Sequence, residues 1–444
     1  MGRTSREIAL DALIACRKNS AWPDSYLRAA ARKEKLDERD AALAAKLCYG
    51  VLQNDRLLDF YIDTFCVQKA NHLEPIVLDI LRLGAYQMLF LTKIPESAAV
   101  NESVELAKRR GAGRASGLVN AVLRRISENS DALPEIPRDD ETKYLSIKYS
   151  YPEWIVRRAA SLLGPAEAEA FLKSGNEPAP TVIQTNTLKV LPAALQAEID
   201  SFGAEAVMHP WLDGCFTLSK AGNIDTLPAF REGRFMVQDA AAFLAAGASG
   251  VKPGMTVIDV CAAPGGKSFA CAIKMENNGT IRSYDIHTKK LGLIADGAKR
   301  LGISIITADS ADARTLKEEL AETADAVIAD VPCSGLGIIR KKPDIRRKRE
   351  EDISSLPEIQ SAILDNVCAY VKPGGVLLYS TCTVLPEENQ NVTDGFLSRH
   401  AEFSAEAFSL PQPIGDVPSG SLTLWPQRYG TDGFYICRMR KRST

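Results

Sequence analysis

The sequence predicts a multi-domain chain: an all-α bundle, a small α+β domain, and a large α/β domain built on a doubly wound, Rossmann-like parallel sheet. Three observations support this. The 444 residues exceed a single domain of about 100–200 residues. Through residue 126 apolar positions recur at helical spacing, with no strand-like alternation between them. After residue 235 short apolar runs bounded by turn residues alternate with helical stretches, as in a parallel sheet with right-handed crossovers.

In the first segment, residues 1–130, Ile8, Leu10, Leu13 and Ile14 share one helical face. The same holds for Leu43, Leu47, Val51 and Leu52, for Leu57, Leu58, Tyr61 and Ile62, and for Val77, Leu78, Leu81 and Leu83. Ser97 is expected to cap a helix running to Arg110, where Gly111 and Gly113 stop it. Residues 127–143 carry Pro134, Pro137 and mostly acidic charges, and read as a linker. The second segment, 144–234, mixes helical patterns at 154–163 and 193–202 with extended ones at 182–187 and 215–218. The third, 235–444, is expected to hold strands at 256–260, 280–286, 304–308, 326–331 and 376–379, a helix at 387–400 and a closing strand at 434–439.

An apolar fraction of 45% and a charged fraction of 25% are ordinary for a soluble globular protein. The most apolar stretch, 76–91, is broken by Asp79 and Arg82, so no membrane span or membrane partner is expected. The first residues lack a signal-peptide pattern, and Arg6 stands where a myristoylation motif needs Ser or Thr. A cytoplasmic monomer is the expectation. Ten cysteines without a C-x-x-C pair and four scattered histidines suggest neither a disulfide framework nor a metal site. Residues 1–126 hold 20 Lys and Arg against 15 Asp and Glu, while the remainder is acidic, 34 against 41. The basic front half suits either a phosphate-binding face or a solvated helical surface.

Two stretches pair a cysteine with a strand end. Asp330-Val331-Pro332-Cys333-Ser334 follows one apolar run, and Ser380-Thr381-Cys382-Thr383 follows another. Open α/β sheets place their chemistry at such ends, so the two thiols should meet over one crevice. A third stretch, Asp259-Val260-Cys261-Ala262-Ala263-Pro264-Gly265-Gly266-Lys267-Ser268, joins the first strand of the last domain to a helix. Its glycines permit a close ligand approach to backbone N–H groups at a helix N-terminus. A nucleotide-triphosphate loop would need glycine at position 261, which is cysteine, and the dinucleotide spacing is absent too. Asp285, 19 residues beyond Gly266, is placed to accept from two ribose hydroxyls, and Asp309 from an adenine amine. A loop without a diphosphate cradle, together with these two acids, fits S-adenosylmethionine. The expected donor site is therefore Cys261 to Lys267 with Asp285, Asp309 and Asp330.

Family resemblances then appear. Leu81-Arg82-Leu83-Gly84-Ala85-Tyr86-Gln87, Val100-Asn101-Glu102-Ser103-Val104-Glu105-Leu106-Ala107 and Val119-Asn120-Ala121-Val122-Leu123-Arg124-Arg125 resemble the NusB-type helical domain, which implies RNA binding or a docking role. Gln184-Thr185-Asn186-Thr187-Leu188-Lys189 resembles the Arg-x-Asn-Thr-Leu-Lys segment ahead of RNA cytosine methyltransferase domains, with Gln184 in place of the usual Arg. The cofactor loop, Asp-x-Pro-Cys-Ser and Ser-Thr-Cys-Thr together resemble RNA cytosine-C5 methyltransferases of the NOL1/NOP2/Sun superfamily. With the NusB-like segment in front, the whole chain is similar to the RsmB (Sun/Fmu) family acting on 16S rRNA.

That resemblance implies a covalent mechanism, because C5 of cytosine becomes nucleophilic only after a thiolate adds to C6. Spacing alone favours Cys333 as the attacking thiol. The resemblance instead assigns attack to Cys382 and product release to Cys333, with Asp330 on the cytosine N4/N3 edge and Lys267 steadying the adduct. The basic run Arg340-Lys341-Lys342-Pro343-Asp344-Ile345-Arg346-Arg347-Lys348-Arg349 reads as a phosphate contact or a solvated face. Two alternatives remain at this stage: tRNA as the substrate, or a non-catalytic RNA-binding adaptor, which donor binding would distinguish.

Overall fold

The computed structural model describes residues 2–19 and 23–443, which form two compact units. The first unit comprises the residues up to Glu177 together with Ile339–Lys348, and the second comprises Pro178–Ile338 with Arg349 onward.

The first unit is helical. Ser5–Asn19, Pro23–Glu34, Glu38–Phe65, Pro75–Phe90, Glu96–Arg109 and Ser116–Glu128 bury their apolar stripes in one core that includes Leu13, Leu47, Val51, Leu81 and Leu123. A Cβ on Gly84 would lie 2.5 Å from Leu123 Cδ1 and 2.8 Å from Ser103 Oγ. The three NusB-like segments therefore meet where only glycine leaves room. The helix expected to begin at Ser97 starts slightly earlier: Pro95, with φ fixed at −60°, holds the capping position and Ser97 lies within the first turn. Helices Glu141–Tyr149, Glu153–Leu163 and Pro165–Ser174 also pack in this unit, where the Leu57 N–H donates to Ser150 Oγ at 3.1 Å.

Most of the basic run lies in this first unit too. Arg346 is only 3% exposed; its guanidinium donates to the carbonyls of Gln53, Tyr149 and Gly175 and to Asn176 Oδ1, and stacks 4.2 Å over Tyr151. A buried fork occupied in this way cannot reach a phosphate, so Arg346 is a structural residue. Arg346→Met keeps the stem but strands these acceptors, and is expected to lower the stability of the unit by about 3 kcal/mol, read as a fall in urea midpoint.

In the second unit, β1 (Thr181–Thr185), β2 (Glu205–Met208), β3 (Cys215–Ser219) and β4 (Phe235–Val237) form an antiparallel sheet in the order β2-β3-β1-β4. Ile183, Phe216 and Phe235 pack under Leu195 and Ile199 of a helix. Gln184 is buried, donating to the Gln238 carbonyl and accepting from Cys215 Sγ. Asn186 Nδ2 donates to the carbonyls of Gly233 and Leu301, each at 2.8 Å, and Lys189 Nζ to those of Glu232 and Arg300. The Asn-Thr-Leu-Lys segment thus ties the small sheet to the helix Thr288–Leu301.

The larger sheet contains β5 (Thr256–Asp259), β6 (Thr280–Asp285), β7 (Ile306–Ser310), β8 (Ala324–Asp330), β9 (Val371–Thr381) and β10 (Phe403–Ala405). After a small pair, β11 (Phe408–Ser409) with β12 (Asp416–Val417), come β13 (Ser421–Leu424) and β14 (Phe434–Lys441). The order is β10-β14-β9-β8-β5-β6-β7, with β13 paired to β14. Strands β5 to β9 are parallel, as expected; β14 inserts between β9 and β10 antiparallel to both, making the sheet mixed. Alternate residues face opposite cores: Val257, Ile328 and Leu378 on one side, Ile258, Val327 and Leu377 on the other. Tyr435 is fully buried and bonds Thr393 Oγ1 through its hydroxyl at 2.9 Å. The strand order reverses at β5 and β8, which opens a crevice at their carboxyl ends. No helix among the described residues is long and apolar enough to cross a membrane.

Candidate active site

The loops after β5, β6, β7 and β8 enclose a cavity of about 400 Å³. Of the expected donor-site residues, Cys261, Ala263, Asp285 and Asp330 line it. Gly265, with φ of +110°, is a left-handed turn residue opening the helix Gly266–Lys274; a Cβ there would lie 2.4 Å from the Phe269 ring. Asp285 accepts the N–H groups of Ala263 at 3.1 Å and His287 at 2.8 Å, which fixes its carboxylate at the cavity wall. Asp309 lies on the exposed face of β7, accepts from the Ser310 N–H and does not line the cavity; Asp312 does. The Arg314 guanidinium beside Asp312 holds its carboxyl below the usual range.

The cavity walls fit S-adenosylmethionine. Ile286, 52% exposed, and Ile359, Ile363 and Val331 offer apolar surface to a flat base, and Asp285 offers acceptors to a hydroxyl pair. In the sequence, only its place directly after Asp285 marks Ile286 as a residue of the cavity wall.

Asp330 is held from both sides: Lys267 Nζ donates to Oδ2 at 2.7 Å and Ser380 Oγ to Oδ1 at 2.8 Å. Lys267 is 8% exposed and also lies 4.8 Å from the Phe434 ring centroid. Beside it the Sγ atoms of Cys333 and Cys382 stand 3.0 Å apart as free, half-buried thiols, and the Cys382 N–H donates to Cys333 Sγ at 3.3 Å. The hydrogen bond with Cys382 and burial push the Cys333 thiol well above its ordinary range, reinforced by the charges of Glu388 and Asp330. The two cysteine loops are joined underneath, where Ser334 Oγ meets Thr383 Oγ1 at 2.8 Å.

Asp259, 1% exposed at the end of β5, accepts from Ser268 Oγ at 2.7 Å, and burial pushes it up to about 7 from 3.8. Because the native state holds this proton more tightly than the unfolded chain, its contribution to stability is full below pH 4 and is lost as pH rises to about 7. Asp259→Asn cannot ionise, so its urea-derived stability relative to wild type is expected to rise by about 3 kcal/mol between pH 4 and pH 8.

Comparison with known proteins agrees with this architecture. Residues 250–440 match the family described as 16S rRNA methyltransferase RsmB/F, residues 3–128 the NusB family, and residues 151–225 a Methyltr_RsmF/B-like, ferredoxin-like domain. A probable ribosomal RNA small subunit methyltransferase B of Bacillus subtilis (strain 168) is 37% identical over the full length of both chains. One of Synechocystis is 33% identical over 99% of each. Among solved structures, PH0851 covers 98% of each chain with a TM-score of 0.82 and 28% identity. NSun6 from Pyrococcus horikoshii, solved with SFG, covers 66% of this chain and 99% of its own with a TM-score of 0.58 and 22% identity, a likeness of fold. A full-length relative at this identity, three matching domains in order and a methyltransferase fold with its cavity at the switch point place the chain in the ribosomal RNA small subunit methyltransferase B family.

Proposed function

We propose that the chain transfers a methyl group from S-adenosylmethionine to C5 of a cytosine in 16S rRNA, through a covalent bond between Cys382 and C6. The observation that carries this reading is the pair of free thiols at the ends of adjacent strands β8 and β9, beside an anchored Asp330 and the donor cavity. Bound in that cavity, the cofactor supplies an electrophilic methyl group on a sulfonium.

A chain that only bound RNA would have no use for two polar-flanked thiols in contact. Cytosine needs one, since its C5 is a poor nucleophile until a thiolate has added at C6. Cys333 Sγ lies within hydrogen-bond reach of Cys382 Sγ, and burial favours the Cys333 thiol, which suits Cys382 as the attacking sulfur that the family resemblance assigns. As the Cys382 Sγ–C6 bond forms, the C5=C6 pair becomes available at C5, which takes the methyl group. Asp330, held by Lys267 and Ser380, presents a rigid carboxylate to the N3/N4 edge. The proton that Cys382 gives up on attack passes to solvent, as does the Cys333 proton before Cys333 acts as a base, and Cys382 regains one from solvent when it leaves C6. Cys333 takes the C5 proton, the C5=C6 bond re-forms, the Sγ–C6 bond breaks, and both thiols return to their starting state. The target base must leave its stack to reach this crevice.

The test is incubation of the chain with labelled S-adenosylmethionine and, separately, unmodified small-subunit rRNA, intact small subunits and tRNA, followed by mapping of the label. Label at C5 of a cytosine in small-subunit rRNA supports the reading. Label at another atom, or in tRNA alone, overturns it.

A further inference from the structure

We propose that Glu388 is a positioning residue for Cys333, fixing the Pro332-Cys333-Ser334 turn against the Cys382 loop and holding a negative charge beneath the thiol that moves the C5 proton. Glu388 lies in the turn Pro386–Glu388 and is 1% exposed. Its Oε2 accepts the Ser334 N–H at 2.8 Å and Gln360 Nε2 at 3.0 Å. Gln360, 0% exposed on the helix Leu356–Val367, also donates to the Pro332 carbonyl at 3.0 Å. Cys333 is therefore gripped through the backbone on both flanks by one carboxylate–amide pair.

The neighbouring residue repeats the grip on the other cysteine. Asn389 Oδ1 accepts from Thr381 Oγ1 at 2.6 Å, and its Nδ2 donates to the Thr383 carbonyl at 3.1 Å. Thr383 in turn meets Ser334. Two consecutive buried residues, Glu388 and Asn389, thus set the relative position of both thiols.

The charge is the unexpected part. Among the described residues no cation pairs with the Glu388 carboxylate, and its Oε1 has no hydrogen-bond donor. Burying a carboxylate this way is costly, and a glutamine of the same shape would accept the same Ser334 N–H without that cost. What the acid adds is its field. The titratable groups facing Cys333 are Cys382, Glu388, Asp330 and Tyr379, with Lys267 reached through Asp330. The acids among them act in one direction, keeping Cys333 a thiol at rest and a strong base once ionised.

The proposal rests on the reading that Cys333 moves the proton, but its test needs neither RNA nor turnover, so the two can fail separately. Alkylation of Cys333 by iodoacetamide is followed across pH by peptide mass spectrometry in the full chain. In wild type the midpoint should exceed that of an unperturbed thiol, about 8.5. In Glu388→Gln it should fall by about one pH unit, with about tenfold faster alkylation at neutral pH, while S-adenosylmethionine binding is unchanged. Glu388→Asp, which keeps the charge, should retain the wild-type profile. With RNA present, Glu388→Gln should lose kcat and build up covalent adduct. A wild-type midpoint at or below that of an ordinary thiol overturns the proposal even if the glutamine variant does not fold. So does an unchanged profile in Glu388→Gln, or an equal shift in Glu388→Asp.

Discussion

Cys382→Ala is expected to abolish both methyl transfer and covalent protein–RNA adduct, a loss of about 10⁴-fold or more in single-turnover rate. The size follows from the chemistry. Without a sulfur at C6 the pyrimidine stays aromatic and its C5 is too electron-poor to take the methyl group. Cys333 is close enough to be a substitute in principle, with its Sγ 3.0 Å from Cys382 Sγ. In the variant Cys333 loses its hydrogen bond with Cys382, but burial and the charges of Glu388 and Asp330 still favour the thiol and argue against substitution. Donor binding should survive, since Cys382 does not line the donor cavity. Retained methylation in Cys382→Ala would remove the basis for assigning it the attack.

Cys333→Ala should behave in the opposite way. Attack and methyl transfer proceed, but the C5 proton has no acceptor, so multiple turnover falls by about 10²–10³-fold and a covalent protein–RNA species accumulates toward one per chain. Gel shift under denaturing conditions reads that species directly. The contrast between the two alanine variants matters more than either alone: a structural lesion would depress both adduct and product, whereas a lost proton acceptor separates them. Free enzyme should keep its fold, because the Ser334–Thr383 and Ser334–Glu388 bonds that join the loops do not pass through the Cys333 side chain.

The strands and the cysteine pair could be read in the sequence for a physical reason. Parallel strands buried on both faces are continuous apolar runs, so 256–260 and 326–331 stand out, and a cysteine set among Pro, Ser and Thr directly after such a run has left the core. The acid that faces the cavity after β7 is harder to read. The strand continues to Ser310, two residues past the expected end, which puts Asp309 on the exposed face and leaves the cavity to Asp312. Arg346 and Glu388 were illegible for another reason. A charged residue in a charged stretch reads as solvated, and only tertiary packing shows that Arg346 is enclosed by carbonyls and Glu388 by the Cys333 loop. Gln360 likewise gives no local sign that its amide reaches Pro332.

The central claim is that Cys382 makes the bond to the base, and the most direct measurement is to find that bond. Cys333→Ala incubated with small-subunit rRNA and S-adenosylmethionine, then digested with nuclease and protease, should yield a peptide carrying one methylated cytidine on Cys382 by tandem mass spectrometry. A nucleotide attached to any other residue, or a peptide pool free of nucleotide while methylated rRNA still forms, would contradict it.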